Sequence, residues 1–96
     1  MENSLDFIKN YNALYVEDDK STRKSLISIL EKFFNKLIVS VDGQDGYEKY
    51  NESIKNGDEI HIVISDINMP VKNSLDMVSD IRKLNDTVPC ILLTAY

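Results

Sequence analysis

The stretch His61-Ile62-Val63-Ile64-Ser65-Asp66-Ile67-Asn68-Met69-Pro70 decides the fold of this chain. A run rich in β-branched residues leads straight into a carboxylate, and the following Asn-Met-Pro breaks the extended pattern. A strand of this kind delivers Asp66 to the rim of a sheet, where phosphate chemistry or metal binding becomes possible.

Working outward, three further short apolar runs predict strands: Ala13 to Val16, Leu37 to Val41 and Val88 to Thr94, beside Ile60 to Ser65. Between the first two, Leu26, Ile27, Ile29, Leu30, Phe33 and Phe34 recur at helical spacing, with Ser21 or Thr22 as the expected cap. Tyr47, Tyr50 and Ile54 mark a second helix that starts near Gln44 or Asp45 and stops at Asn56-Gly57. After Pro70, Asn73 or Ser74 caps a third helix carrying Leu75, Met77, Val78 and Ile81, with Leu84 near its end. Leu5-Asp6-Phe7-Ile8 suggests a short helix or turn. Strands alternating with helices of this length need crossover connections, so the expected class is α/β with a parallel sheet and helices on both faces.

At 96 residues and 11.0 kDa the chain has room for one core, and residues 1–96 are read as a single domain. Hydrophobic residues at 43% and charged residues at 28% place it among soluble globular domains. No apolar run approaches the about 20 residues that span a bilayer, and the N-terminus lacks the basic start of a signal peptide, so a cytoplasmic protein without membrane contact is expected. A net charge of -5 and a pI near 4.7 argue against nucleic-acid binding by this segment. The single cysteine, Cys90, cannot form an internal disulfide and is expected in a buried strand.

In open α/β sheets ligands bind beyond the carboxyl ends of the strands. That rule brings together Glu17-Asp18-Asp19 after the first strand, Asp66 after the third and Thr94 after the fourth. Crowded carboxylates repel one another, which raised pKa values or a divalent cation relieves. Mg²⁺, with its preference for hard oxygen ligands, suits Asp18, Asp66 and a backbone carbonyl. Asp19 reads as an exposed turn residue, the lone His61 as structural because it begins a strand at the opposite end, and Tyr47 and Tyr50 as helix-to-sheet packing.

Three motifs, Leu14-Tyr15-Val16-Glu17-Asp18-Asp19, Ile62-Val63-Ile64-Ser65-Asp66-Ile67-Asn68-Met69-Pro70 and Ile91-Leu92-Leu93-Thr94-Ala95, together closely resemble those of response-regulator receiver domains. The resemblance runs from about Asn12 to the end of the chain. It implies a flavodoxin-like three-layer fold with strand order 2-1-3-4-5. It further implies that Asp66 accepts a phosphoryl group from the phosphohistidine of a sensor histidine kinase, and that Mg²⁺ is held by Asp18, Asp66, the main-chain carbonyl of Asn68 and, through water, Glu17. Thr94 would hydrogen-bond a phosphoryl oxygen and relay the phosphorylated state.

The match departs from the family in two places. Receiver domains continue past the Thr-Ala motif through a fourth helix, a fifth strand and a fifth helix, which carry a phosphate-pairing lysine and a switch aromatic; the sequence in hand stops at Tyr96. Lys72, just beyond Pro70, is the one lysine near enough in sequence to test in that role. The usual Asp-Gly before the third helix is Asn73-Ser74, which puts loop shape and helix start in question. Without a fifth strand, the fourth would expose Ile91 and Leu93 at a sheet edge; if 96 residues are the whole molecule, self-association through that edge, or exchange of elements with a second copy, is expected. A phosphoacceptor module with no conventional enzyme activity beyond self-catalysed aspartyl phosphorylation and dephosphorylation is the leading expectation. The alternative is a dimerising or docking module without efficient phosphotransfer. A metal-dependent phosphohydrolase fits less well, because Asn68 leaves no second acid two residues after Asp66.

Overall fold

The computed structural model describes residues 6–67, 69 and 72–93. A 3-10 helix, Asp6–Asn10, precedes β1 (Asn12–Val16), α1 (Lys20–Leu30), β2 (Lys36–Ser40), α2 (Gly43–Asn56), β3 (Ile62–Asp66), α3 (Ser74–Leu84) and β4 (Cys90–Leu93). The four strands form one parallel sheet in the order β2-β1-β3-β4, the flavodoxin-like arrangement. Register is set by residues that alternate between the two faces of the sheet: Leu14 pairs with Ile38 on one side and with Val63 on the other.

Local chemistry explains where the helices begin and end. Asp19, Asp42 and Asn73 each turn a side-chain oxygen onto a backbone N–H three residues on, at 2.8, 2.8 and 2.9 Å, contacts of about 1 kcal/mol each. Asp19, not Ser21 or Thr22, therefore caps α1, because a carboxylate three residues before Thr22 reaches its N–H while the strand is still extended. At the far end of α2, Gly57 takes φ 75°, a conformation that costs a side-chain-bearing residue about 1 to 2 kcal/mol.

One face of the sheet is closed by α2 and α3, which pack on each other. Leu14, Val16 and Val63 from the strands meet Tyr50, Met77 and Ile81 from the helices, all nearly inaccessible to solvent. Gly46 permits that approach: a Cβ there would lie 2.7 Å from Met77 Sδ and 2.9 Å from Val16 Cγ2. The alternation of β1 turns Ala13 and Tyr15 to the opposite face, where both are fully buried. Over that face α1 contributes no buried residue, so the apolar stripe expected to bury it is only partly covered. Beside it runs a groove of 450 Å³ lined by Leu30, Phe33, Phe34, Ile64, Pro89 and Ile91 among others.

The strand boundaries differ slightly from those expected. β3 starts at Ile62 and not Ile60, because Ile60 turns into the core ahead of the ladder. β2 ends at Ser40 and not Val41, because the Val41 N–H turns out of the ladder to the Asp45 carboxylate. Cys90, expected in the core, sits half-buried at the start of β4 against it. Burial raises its thiol pKa, which keeps it protonated. His61 is structural: its Nδ1 accepts a hydrogen bond from the Asn12 N–H at 2.9 Å, and its ring stacks on Tyr11 at 4.9 Å. Among the described residues no helix is long and apolar enough to cross a membrane.

Candidate functional site

Parallel pairing of β1 with β3 places Val16 beside Ser65, so the residues that follow each strand emerge side by side at the carboxyl rim. Glu17, Asp18 and Asp66 thereby bring one carboxylate oxygen each to within 4.8 Å of one another. Glu17 and Asp66 are nearly buried, at 4% and 9% exposure, while Asp18 faces solvent. The cluster is anchored by the ladder on both sides: the Glu17 N–H donates to the Ser40 carbonyl at 3.1 Å and the Ile67 N–H to the Leu93 carbonyl at 2.9 Å.

The electrostatics follow from this crowding. Burial pushes the Glu17 carboxyl from 4.5 up to about 7; the Asp19 N–H is the next-largest influence and pulls the other way, while the charge of Asp66, a hydrogen bond with its side chain and the charge of Asp18 add to the rise. That N–H donates to Glu17 Oε2 at 3.2 Å. Beneath it, the Tyr15 hydroxyl donates to Glu17 Oε1 at 3.5 Å. Burial, and after it the Glu17 charge, raises the Tyr15 phenol so that it stays a donor. Three hard oxygen donors, one of them close to sharing a proton at neutral pH, form a set that suits a small divalent cation such as Mg²⁺.

Two further residues shape the site: Arg23, which the sequence does not single out, and Ser74, which it offers only as a helix cap. Arg23, one turn into α1, reaches back to the carbonyls of Glu17 and Asp18. Ser74 Oγ donates to the Ile67 carbonyl at 3.2 Å and ties α3 to the residue after Asp66. A polar side chain at the first helical position was visible in the sequence, but nothing there told where it would bond. Ser74 and the Asn73 cap together show that Asn73-Ser74 makes a regular helix start in place of Asp-Gly.

Lys72 lies away from the phosphate-pairing role. Its ammonium pairs with the Asp80 carboxylate of α3 and sits 5.0 Å from the centroid of the Tyr47 ring on α2. The lysine beside it holds the Asp80 carboxyl below the usual carboxylate range. Tyr47 is thus partly a cation platform, while Tyr50 packs in the core as expected. Asn68 and Thr94, assigned from the resemblance to the metal and to the phosphoryl group, lie outside the described residues.

Comparison with known proteins agrees with this arrangement. The sequence pattern of the response regulator receiver domain matches residues 13–96. The transcriptional regulatory protein CpxR of Escherichia coli is 32% identical over 82 residues, covering 85% of this chain and 32% of its own length. Response regulator RR06 of Streptococcus pneumoniae is 27% identical over 84 residues, covering 88% of this chain and 36% of its own length. The chain thus spans about a third of the length of these curated relatives. Among solved structures, the CheX-CheY-BeF3-Mg²⁺ complex of Borrelia burgdorferi superimposes with a TM-score of 0.76 at 30% identity, covering 90% of this chain and 63% of that one. The acidic rim, the strand order and these matches lead to one family: the chain belongs to the response regulator receiver domains, the modules of two-component signalling.

Proposed function

We propose that this receiver domain is a phosphoacceptor in which Asp66 takes a phosphoryl group from the phosphohistidine of a sensor histidine kinase. The observation that carries the proposal is the convergence of Asp66 with Glu17 and Asp18 within 4.8 Å at the carboxyl rim of the sheet. One Asp66 carboxylate oxygen forms the new bond to phosphorus, the phosphorus–nitrogen bond of the donor breaks, and its electron pair stays on the imidazole nitrogen. An acyl phosphate results, and water later attacks its phosphorus, releasing inorganic phosphate and returning the carboxylate.

Approach of an anionic phosphoryl group to an anionic nucleophile needs positive charge. A Mg²⁺ ion held by Glu17, Asp18 and Asp66 supplies it when bound. The residues themselves do the rest. β3 holds Asp66 at a fixed place on the rim, the Ile67 and Ser74 contacts fix the backbone that follows it, and burial of Glu17 keeps bulk water from one side of the cluster. Under the family resemblance the Asn68 carbonyl completes the metal site and Thr94 bonds a phosphoryl oxygen.

Incubation with acetyl phosphate and Mg²⁺, followed by intact mass, is expected to show one added phosphoryl group that is absent from Asp66→Asn. Persistence of the added mass in the variant overturns the assignment of Asp66.

The apolar groove beside α1 favours a second reading, a dimerising or docking role. Ile91 of β4 is 46% exposed there, and β4 pairs only with β3 among the described residues. Self-association at high concentration, measured by light scattering, is its expected outcome; a monomer counts against it.

A further inference from the structure

Just past β1 the chain turns from extended strand into α1 within the three residues Glu17-Asp18-Asp19. Where the carboxylates of Glu17 and Asp18 point is set by the peptide planes of those two residues. The Glu17 N–H is held by the Ser40 carbonyl and both side chains belong to the acidic cluster, but both carbonyls lie beyond the last β1–β2 pair, Val16 with Ser40. The partner they find is a single atom. Arg23 Nη1 donates to the Glu17 carbonyl at 2.9 Å and to the Asp18 carbonyl at 3.3 Å. One rigid guanidinium thus bridges two successive peptide planes.

We infer that Arg23 is a positioning residue of the metal site: by bridging the Glu17 and Asp18 carbonyls it holds both carboxylates turned toward Asp66. The inference rests on the metal-binding reading proposed above. Groups that orient ligands from behind commonly govern metal affinity about tenfold or more. The arrangement also has a sign that separates positioning from charge. Arg23 carries a positive charge beside the cluster, so by Coulomb's law alone its removal tightens cation binding. If its role is to orient the carboxylates, removal weakens binding despite the gain in negative potential.

The test is titration calorimetry with Mg²⁺ on the wild-type chain, Arg23→Gln, Arg23→Lys and Lys24→Gln. Lys24 is an exposed neighbour on the same helix and reports the effect of losing one positive charge. Arg23→Gln is expected to bind Mg²⁺ about tenfold more weakly than wild type, while Lys24→Gln binds equally or slightly more tightly. Arg23→Lys keeps the charge but not the rigid bridge, and is expected to fall between Arg23→Gln and wild type. Wild-type affinity in Arg23→Lys, or unchanged or tighter binding in Arg23→Gln, overturns the inference. Because α1 buries no residue, the core is expected to survive both changes. Should Arg23→Gln lose its circular-dichroism signal, the charge-conserving Arg23→Lys decides the question. A wild-type chain that takes up no Mg²⁺ overturns the metal reading itself, an outcome recognisable before any variant is compared.

Discussion

The two faces of the sheet are built from sequences of similar apolar character and end in different states. On one, α2 and α3 pack against each other and bury Tyr50, Met77 and Ile81 against Leu14, Val16 and Val63. On the other, Ala13 and Tyr15 of β1 are buried but α1 buries none of its own residues; Ile29 is exposed, and so is Phe33 at an apolar groove. Among the described residues no second α-helix packs beside α1, and its apolar stripe is left only partly covered. The closed face therefore carries the stability, and the acidic rim is mounted on it through β3 and α3.

The largest expected effect breaks the closed face. Met77→Ala removes a fully buried side chain between Val16 and Gly46 and is expected to cost about 2 to 5 kcal/mol, read as a lower urea midpoint with an unchanged slope. A loss below about 1 kcal/mol would mean that the two faces share the load evenly.

Next comes the rim, where the effect depends on pH. The Glu17 carboxyl stands near 7 in the folded chain against 4.5 in an unperturbed one, chiefly through burial and then the charge of Asp66. Between those values the folded state holds a proton that the unfolded state releases. The stability from this group is complete below about 4.5 and is lost as pH rises through about 7. With metal chelated, Glu17→Gln should therefore gain stability relative to wild type between about pH 5 and about pH 8. Mg²⁺ binding to the wild type should strengthen over the same interval as the proton leaves. A stability difference that stays flat with pH would show that Glu17 is not perturbed by the cluster.

Gly43 joins rim and closed face. A Cβ there would lie 2.1 Å from the Lys72 carbonyl oxygen, a backbone atom of the segment that follows Asp66. Gly43→Ala is expected to cost about 1 to 3 kcal/mol by forcing that segment off α2, and to weaken Mg²⁺ binding as well. Loss of stability with unchanged metal affinity would uncouple the segment from the site.

Much of this was legible in the sequence, for identifiable reasons. The apolar runs marked four strands, and their parallel orientation followed once helices were seen between them, while the order of the strands came from the family resemblance. The carboxylates Glu17, Asp18 and Asp66 could be placed at one rim because each ends a strand, a property of chain order alone. What stayed hidden depends on which atoms meet across the fold. Asp19 reads as a turn residue until its distance to the Thr22 N–H is known. Arg23 looks like any helix-surface cation until its guanidinium is seen on two carbonyls. Lys72 is near the acceptor in sequence, yet Asp80 and Tyr47 draw it onto the helices. How far the α1 face is covered stayed hidden for the same reason: periodicity shows that a stripe is apolar, and says nothing of what lies opposite.

The smallest expected effect sharpens the contrast between the faces most directly. Phe33 follows α1 and is 37% exposed on the rim of the groove, whereas Met77 is wholly enclosed. Truncating an enclosed side chain removes its contacts and leaves a cavity; truncating one at an open groove lets water fill the space. Phe33→Ala should therefore cost no more than about 0.5 to 1 kcal/mol in the monomer, a fraction of the loss at Met77, although phenylalanine is the larger residue. If the groove is covered when the chain self-associates, the same substitution acts on association and not on folding. The cost measured by urea unfolding should then grow with protein concentration for wild type relative to Phe33→Ala, because a bound partner stabilises only the folded form. A loss as large as that at Met77 in dilute solution would show that the α1 face is closed in solution and would erase the difference between the two sides of the sheet.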